Sequence, residues 1–255
     1  MKKRYKVLIA ILIAVFVLPG FLNPSYSKNQ KEFSIPVLMY HSISKDEKGL
    51  FTVPKDTFYE HMKYLKDNNY KTLTLDELYS HLTNEIPFSD KSVVITFDDG
   101  YTDNYENAYP ILKEFGLKAT IFTITDYIDN SSYFMNSDQL KELSLNGIDI
   151  ENHTTDHSKL DKLSKDDRLE NLKKSKNTIE KLLDKEVNYI TYPFGRFNKE
   201  VIEDIKEAGY KMALTTKRGF ANISDGLYEL RRVFISGHMG IEGFEKRIMN
   251  EFDEM

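Results

Sequence analysis

Two adjacent carboxylates, Asp98 and Asp99, follow a run of β-branched and aromatic residues at positions 92–97. This run predicts a buried strand, and Gly100 allows the chain to turn sharply just after the carboxylates. Because successive side chains of a strand point in different directions, one carboxylate can bind a cation while the other faces a reacting water. A cation would also relieve the repulsion between the two charges. A helix N-cap or an Asx turn is the purely structural alternative.

Two histidines, His153 and His157, lie four residues apart just after the predicted strand 148–150. Imidazoles at this spacing can converge on one ion from a helical turn or a tight loop, and neighbouring Thr, Asn and Asp side chains can orient the rings. Solvated loop histidines are the alternative, but the chain has only 6 His, which favours a site. With one of the two aspartates, the set becomes two histidines and one carboxylate. Three protein ligands leave positions open, as catalytic metal sites do.

Strands and helices are predicted to alternate along the chain, and each polar cluster directly follows a strand. The predicted strands are 37–40, 71–73, 93–97, 119–124, 148–150, 189–192, 210–215 and 230–235. The predicted helices are 58–68, 74–82, 105–115, 137–146, 164–183 and 199–208, several with capping residues or terminal glycines. Such alternation is typical of a parallel α/β sheet with right-handed crossovers, whose sites lie at the carboxyl ends of strands.

Three segments in this order, TFDDG at 96–100, HTTDH at 153–157 and YPFG at 192–195, resemble the motifs of NodB-type polysaccharide deacetylases, carbohydrate esterase family 4. The resemblance covers residues 35 to 240. It implies an α/β fold, a distorted (β/α) TIM-like barrel of the NodB type. It also implies a divalent metal ion and the hydrolysis of N-acetyl groups on sugar polymers.

The resemblance assigns roles by position in the motifs. It implies that Asp98 is the general base and that the backbone N–H of Phe194 helps to form an oxyanion hole. The implied metal ligands come from the first two motifs: Asp99, His153 and His157. Further residues expected around the substrate are Tyr101, Tyr192 and Pro193. Zn2+ is the expected ion, and Co2+, Ni2+ or Fe2+ could occupy the same site.

Two departures from the family pattern concern the base and the general acid. Many family members carry an arginine that holds the catalytic aspartate two residues before the proline of the third motif, and Thr191 stands there in this chain. Arg232 is the candidate substitute, and a surface arginine beside a strand is the alternative. The late Leu-x-His motif that supplies the acid is missing; His238 lies near that region, in a Ser-Gly-His-Met-Gly segment.

His41 offers another source for the acid. A short apolar strand, 36–40, places this imidazole at a carboxyl strand end, where barrel active sites are built. The sequence is similar to a subgroup with rearranged motifs, which includes deacetylases of biofilm poly-N-acetylglucosamine, and there the early histidine is the implied proton donor. A capping histidine bonded to a backbone carbonyl is the structural alternative. His61 and His81 are predicted to be structural because they fit helical spacings.

The N-terminus predicts export. Basic residues at 2–6 precede the apolar run 7–18, a Pro-Gly break and small residues at 25–27. This pattern predicts a signal peptide or N-terminal anchor at 1–27, a linker at 28–34 and a catalytic domain at 35–255. We therefore expect a secreted or cell-surface, extracytoplasmic protein that meets a membrane only through the N-terminal segment, if that segment is uncleaved.

Composition agrees with one barrel-sized domain. The chain has 255 residues, 40% of them hydrophobic, with 16 Tyr and 16 Phe, which is enough for a substantial core. A net charge of −5 gives no indication of nucleic-acid binding. The lack of cysteine excludes disulfides and cysteine metal ligands.

Metal-dependent removal of N-acetyl groups from N-acetylglucosamine-containing cell-surface polysaccharide, with release of acetate, is the predicted function. Poly-β-1,6-N-acetylglucosamine, peptidoglycan strands and chitin-type oligomers all remain open as substrates. A metal-independent glycoside hydrolase using Asp98 and Glu151 is one rival, although it leaves the histidine pair idle. A non-catalytic wall-binding module is another. An iron oxygenase would share the ligand types, but its expected all-β scaffold conflicts with the alternation.

Overall fold

The structure, a computed structural model, describes residues 34–84 and 91–249. The predicted signal or anchor segment 1–27 lies outside the described residues, as does the linker 28–34 except for Ser34, so these boundaries stay predictions. Within the described part, none of the helices combines the length and the apolar character that spanning a bilayer requires.

Twelve strands and seven α-helices form within the described residues. The strands are β1 (Ser34–Ile35), β2 (Val37–Tyr40), β3 (Ser42–Ser44), β4 (Thr52–Pro54), β5 (Lys71–Thr72), β6 (Ser92–Phe97), β7 (Thr120–Thr123), β8 (Asp149–Asn152), β9 (Tyr189–Thr191), β10 (Met212–Arg218), β11 (Ala221–Asn222) and β12 (Leu230–Phe234). The helices are α1 (Lys55–Asp67), α2 (Leu75–Asn84), α3 (Tyr109–Phe115), α4 (Ser137–Leu145), α5 (Lys165–Leu183), α6 (Lys199–Glu207) and α7 (Ile241–Ile248).

Seven parallel strands close into a barrel in the order β2-β12-β10-β9-β8-β7-β6. The barrel closes because β2 pairs with β6, in a register that runs from Val37 opposite Val94 to Tyr40 opposite Phe97. Strand β5 pairs only with the first residues of β6, so it does not reach the carboxyl end of the barrel. All six residues of β6 are buried, as expected for a parallel strand covered on both faces. The predicted distorted α/β barrel is confirmed.

Capping residues and terminal glycines correctly predicted several helix ends. Thr74 and Glu77 form the predicted capping box at the start of α2, with Thr74 N donating to Glu77 Oε2 at 2.8 Å and Glu77 N donating to Thr74 Oγ1 at 3.1 Å. Ser164 caps α5, and Gly116 ends α3 in the left-handed region. Strands β1, β3, β4 and β11, each of two or three residues, were not predicted.

The predicted single helix 105–115 is wrong at its start. The chain first forms a π turn, Asn104–Ala108, and only then continues as α3. In this turn the side-chain amides of Asn104 and Asn107 donate to the carbonyls of His41 and Ile43, both at 2.7 Å. The turn thereby fixes the chain that follows β2, which explains a local departure from the helical pattern.

His61 is structural, as its helical spacing predicted. Its buried ring stacks on Phe244 of α7 with centroids 4.2 Å apart, and its Nδ1 lies 3.1 Å from the Tyr40 hydroxyl. Burial lowers the pKa of His61 to about 4, so the ring is neutral near pH 7. This contact packs α1 and α7 against the strand that leads into His41.

Candidate active site

A cavity of about 530 Å³ opens at the carboxyl ends of the barrel strands. His41 follows β2, Asp98 follows β6 and His153 follows β8, so closure of the barrel brings together segments that are far apart in sequence. The lining residues are Met39, His41, Phe51, Asp98, Asp99, Tyr101, His153, His157, Tyr192, Phe194, Thr216 and Phe234.

Three side chains in this cavity point their ligand atoms at one another. Asp99 Oδ1 lies 3.3 Å from His153 Nε2 and 3.6 Å from His157 Nε2, and the ligand atoms of all three residues lie within 4.8 Å of one another. Ligands about 2.0–2.2 Å from a tetrahedral ion are themselves about 3.3–3.6 Å apart. Among the residues that the structure describes, none gives the buried Asp99 Oδ1 a hydrogen bond. An orphaned carboxylate oxygen beside two imidazole nitrogens fits a divalent ion.

Thr191 sets the tautomer of His153. The Nδ1 atom of His153 lies 3.1 Å from the Thr191 carbonyl oxygen and 2.6 Å from the Thr191 hydroxyl. Because a carbonyl can only accept, Nδ1 carries the proton and donates it, which leaves the lone pair of Nε2 directed towards Asp99. The residue that replaces the family's arginine therefore orients a candidate metal ligand.

Four non-glycine residues around the cavity have left-handed backbone conformations. The φ angles are 73° at Asp99, 72° at Thr154, 61° at His157 and 58° at Phe194. This conformation is unusual for a β-branched or aromatic residue, and such strain costs about 1–3 kcal/mol at each position. Local hydrogen bonds stabilise two of these conformations: Thr154 N donates to Asn152 Oδ1 at 2.6 Å, and His157 N donates to Thr154 Oγ1 at 3.1 Å. Strain of this kind concentrates at functional sites.

Asp98 is held by a buried arginine from β12, which is separated from β6 by the single strand β2. Arg232 donates from Nη1 to Asp98 Oδ1 at 2.8 Å and from Nη2 to Oδ2 at 2.7 Å, while its Nε donates to the Thr215 carbonyl at 2.8 Å. Burial alone would raise the pKa of Asp98, but the Arg232 guanidinium outweighs it and holds that pKa far below its usual range. Asp98 is therefore an ionised carboxylate in a fixed orientation, and Arg232 occupies the place predicted for it.

His41 lies beside Asp98 under an aromatic cover. Its Nε2 is 4.0 Å from Asp98 Oδ2, and its ring centroid is 4.9 Å from that of Phe51 and 6.3 Å from that of Phe234. Burial lowers the pKa of His41 even though Asp98 and Asp99 act in the other direction. His238, the other candidate acid, is exposed to solvent and is not among the residues that line the cavity.

Three of the four residues predicted around the substrate line the cavity. Phe194 is 57% exposed at the rim. Tyr101 stacks on Phe134, and burial followed by the nearby Asp99 charge raises its pKa. Tyr192 is a buried wall residue whose hydroxyl donates to the Tyr228 carbonyl at 2.8 Å. Pro193 is buried at the start of a 3-10 turn and is not among the lining residues, so its contact with substrate stays a prediction.

Two aromatic residues that no sequence pattern singles out, Phe51 and Phe234, complete the walls of the cavity. Phe51 precedes β4 and is 52% exposed, and Phe234 ends β12. Their ring centroids lie 5.4 Å apart. No local signal marks them. Phe234 approaches His41 through the pairing of β2 with β12, and Phe51 approaches it through the pairing of β3 with β4.

Glu151 does not join Asp98. Its Oε2 accepts hydrogen bonds from the backbone amides of Asn188 at 3.0 Å and Tyr189 at 2.8 Å, at the beginning of β9. Burial raises the pKa of Glu151 well above its usual value. Glu151 is not among the residues that line the cavity, so the structure does not form the carboxylate pair that a glycoside hydrolase would need.

Comparison with known proteins gives the following similarities. Residues 85–213 match the family model described as polysaccharide deacetylase. The chain is 41% identical to YxkH of Bacillus subtilis strain 168 over 220 residues. This alignment covers 86% of the chain and 78% of YxkH. It is 32% identical over 215 residues to the poly-β-1,6-N-acetyl-D-glucosamine N-deacetylase of Staphylococcus aureus strain MSSA476, which covers 78% of this chain and 72% of that protein.

A solved structure shares both fold and sequence with this chain. The Streptococcus pyogenes deacetylase PplD, in complex with acetate, superimposes with a TM-score of 0.81 at 32% identity. The match covers 85% of this chain and 99% of that one. The similarity therefore extends over nearly all of the described barrel.

Proposed function

The chain belongs to the polysaccharide deacetylase family, and from this premise we propose that it removes N-acetyl groups from an N-acetylglucosamine-containing cell-surface polysaccharide, with release of acetate. We further propose that a divalent ion, Zn2+ first among the candidates, binds to Asp99, His153 and His157. One observation carries this proposal: three ligand atoms converge in the same cavity as a carboxylate that a buried arginine keeps ionised.

Two relatives support the substrate class. The Staphylococcus aureus relative is named for its action on poly-β-1,6-N-acetyl-D-glucosamine. The Streptococcus pyogenes deacetylase was solved with acetate, which is the expected product of the proposed reaction. We therefore rank poly-β-1,6-N-acetylglucosamine first among the polymers that the sequence leaves open.

Each of these cavity residues has a separate role in the proposed reaction. Asp98 accepts the proton of the attacking water, and Arg232 keeps it ionised and oriented for that task. A divalent ion would polarise the acetyl carbonyl and lower the pKa of the attacking water, which a base as weak as Asp98 requires. The backbone N–H of Phe194 donates to the oxyanion of the tetrahedral intermediate. His41, once protonated, gives its proton to the leaving amine, and its lowered pKa makes it a stronger acid.

Export remains part of the proposal. The basic, apolar and small-residue pattern of 1–27 supports a location outside the cytoplasm, where cell-surface polysaccharide is accessible. The same pattern is compatible with cleavage or with retention as an anchor.

Acetate release from a panel of polymers tests the proposed function. We expect the Zn2+-loaded protein to release acetate from poly-β-1,6-N-acetylglucosamine, and more slowly or not at all from peptidoglycan strands and chitin oligomers. Reducing ends should not accumulate, since no glycosidic bond is cut. Absence of acetate from every polymer, or new reducing ends without acetate, would overturn the proposal; binding alone would favour a wall-binding module.

His41→Ala is expected to reduce the turnover number about 10²-fold or more, because the leaving amine then lacks its proton donor. His238→Ala is the matched control, since it removes an imidazole that is exposed and lies off the cavity. It should change turnover little. Steady-state acetate release from both variants checks this order. If His238→Ala causes the larger loss, the proton donor is His238.

A further inference from the structure

Two loops carry residues on which the proposed reaction makes strict geometric demands. The loop after β8, residues 153–163, carries the candidate ligand His157. The turn after β9, residues 192–198, carries Phe194, whose backbone N–H is the proposed oxyanion donor. Both residues are left-handed, with φ of 61° and 58°. A strained conformation persists only where surrounding contacts hold it.

A bidentate ion pair joins these two loops. Arg196 of the β9 turn donates from Nε to Asp161 Oδ1 at 3.1 Å and from Nη2 to Asp161 Oδ2 at 2.7 Å. Asp161 belongs to the short 3-10 turn Leu160–Lys162, four residues after His157. Paired parallel hydrogen bonds fix an angle as well as a distance, which a single contact does not.

The loops also meet at the rim of the cavity. The Phe194 ring packs against the His157 ring with centroids 4.4 Å apart. The Lys159 ammonium lies 5.2 Å from the centroid of the same Phe194 ring. The metal-ligand loop and the oxyanion turn are therefore connected by three contacts: the ion pair, the packed rings and the Lys159 ammonium over the Phe194 ring.

Stability does not explain the exposed ion pair. Buried Arg168 already anchors the β8 loop, because its Nη1 donates to the carbonyls of Leu160 and Leu163, both at 3.1 Å, and its Nε donates to Asp204 of α6 at 2.6 Å. The Arg196 side chain, in contrast, is 44% exposed. A partly exposed pair typically contributes only about 0–1 kcal/mol to folding, which leaves a role in geometry.

We propose that Arg196 is a positioning residue that, through Asp161, sets the distance between the Phe194 amide and His157. This inference rests on the proposed function and deepens it. An oxyanion donor acts mainly in the transition state, so its displacement lowers the turnover number and leaves KM nearly unchanged. A displacement of about 1 Å can cost about 10²-fold in rate.

Arg196→Gln and a matched control test the proposal. Arg231 also pairs with one aspartate, Asp225, at 2.9 Å, and the two side chains are 48% and 11% exposed, close to the 44% and 12% of Arg196 and Asp161. We expect Arg196→Gln to lower the turnover number about tenfold or more and to weaken Zn2+ binding severalfold in a chelator competition. The KM and the midpoint of thermal unfolding of Arg196→Gln should equal those of Arg231→Gln. The turnover number and Zn2+ affinity of Arg231→Gln should equal those of the wild type.

Two further variants separate positioning from charge. Arg196→Lys keeps the positive charge but cannot form the bidentate pair, so it should recover only part of the lost turnover. Asp161→Asn should cause the same loss as Arg196→Gln, and the double variant should lose no more than either single variant.

Each outcome decides between the alternatives. A turnover number or a Zn2+ affinity equal to that of Arg231→Gln would overturn the positioning role, as would a loss that follows a lower unfolding temperature. Additive losses in the double variant would also overturn it. A wild-type chain that releases no acetate would contradict the proposed function itself, whereas an active wild type with an unaffected Arg196→Gln would contradict only the positioning role.

Discussion

Replacing Asp98 with asparagine is expected to reduce acetate release by about 10²–10⁴-fold, the usual contribution of a general base, while metal binding persists. Asparagine has nearly the shape of the carboxylate but does not accept a proton from water near neutral pH. The three candidate ligands are other residues, so the Zn2+ dissociation constant should stay close to that of the wild type. Acetate release at saturating Zn2+ and a chelator competition measure the two quantities.

The buried arginine requires a control for folding. In the Asp98→Asn variant Arg232, which is 0% exposed, loses its ionic partner, and breaking such a pair costs about 3–5 kcal/mol of stability. Denaturant unfolding of the variant therefore accompanies the kinetics, and turnover is compared only under conditions in which Asp98→Asn is folded. Near-normal turnover of Asp98→Asn, measured where it is folded, would refute the role of Asp98 as base.

Replacing Asp99 with alanine is expected to remove the metal. Loss of an outer-shell partner already costs about 10–100-fold in metal affinity, so loss of one of three ligands should weaken Zn2+ binding more than about 100-fold. The metal content of the purified variant and a chelator competition check this outcome. Acetate release should fall with it and should recover little on addition of Zn2+.

Two companion variants make the ligand assignment specific. His157→Ala should lose metal in the same way, since its Nε2 lies 3.6 Å from Asp99 Oδ1. His238→Ala should retain full occupancy, since that imidazole lies outside the cavity. Full metal occupancy in both Asp99→Ala and His157→Ala would remove these residues as ligands.

The arginine that binds Asp98 comes from a different strand than the family pattern predicts. The family pattern expects an arginine at the position of Thr191, where β9 ends. Here the guanidinium comes from β12 and reaches Asp98 through two hydrogen bonds. The Thr191 carbonyl instead accepts a hydrogen bond from His153 Nδ1. The sequence suggested Arg232 because the expected arginine was missing, but the second role of Thr191 became visible only with the ring orientation.

Features with a local signal could be predicted from the sequence. The strand before Asp98 and the capping box at Thr74 each depend on residues that are neighbours in the chain. The contact of Phe51 with Phe234 over His41 depends on two strand pairings, β2 with β12 and β3 with β4, and no periodicity encodes it. The Arg196–Asp161 pair could not be predicted either, because it joins loops that follow different strands and lie far apart in the sequence.

The left-handed backbone conformations around the cavity could not be predicted from the sequence either. Asp98 and Asp99 were expected to diverge because strand side chains alternate, but the left-handed φ of 73° at Asp99 takes that residue out of strand geometry. Thr154 and Phe194 adopt the same region although their residue types disfavour it. Such conformations come from the contacts of the whole loop, and propensities predict the opposite.

Metal dependence of acetate release tests the central claim most directly, namely that Asp99, His153 and His157 hold a divalent ion beside Asp98. The measurement is acetate release from poly-β-1,6-N-acetylglucosamine by protein stripped with a chelator, before and during titration with Zn2+. We predict that release stops in the stripped protein and returns in proportion to Zn2+ until each chain holds a single ion. Undiminished release after the metal content has fallen to background would contradict the account.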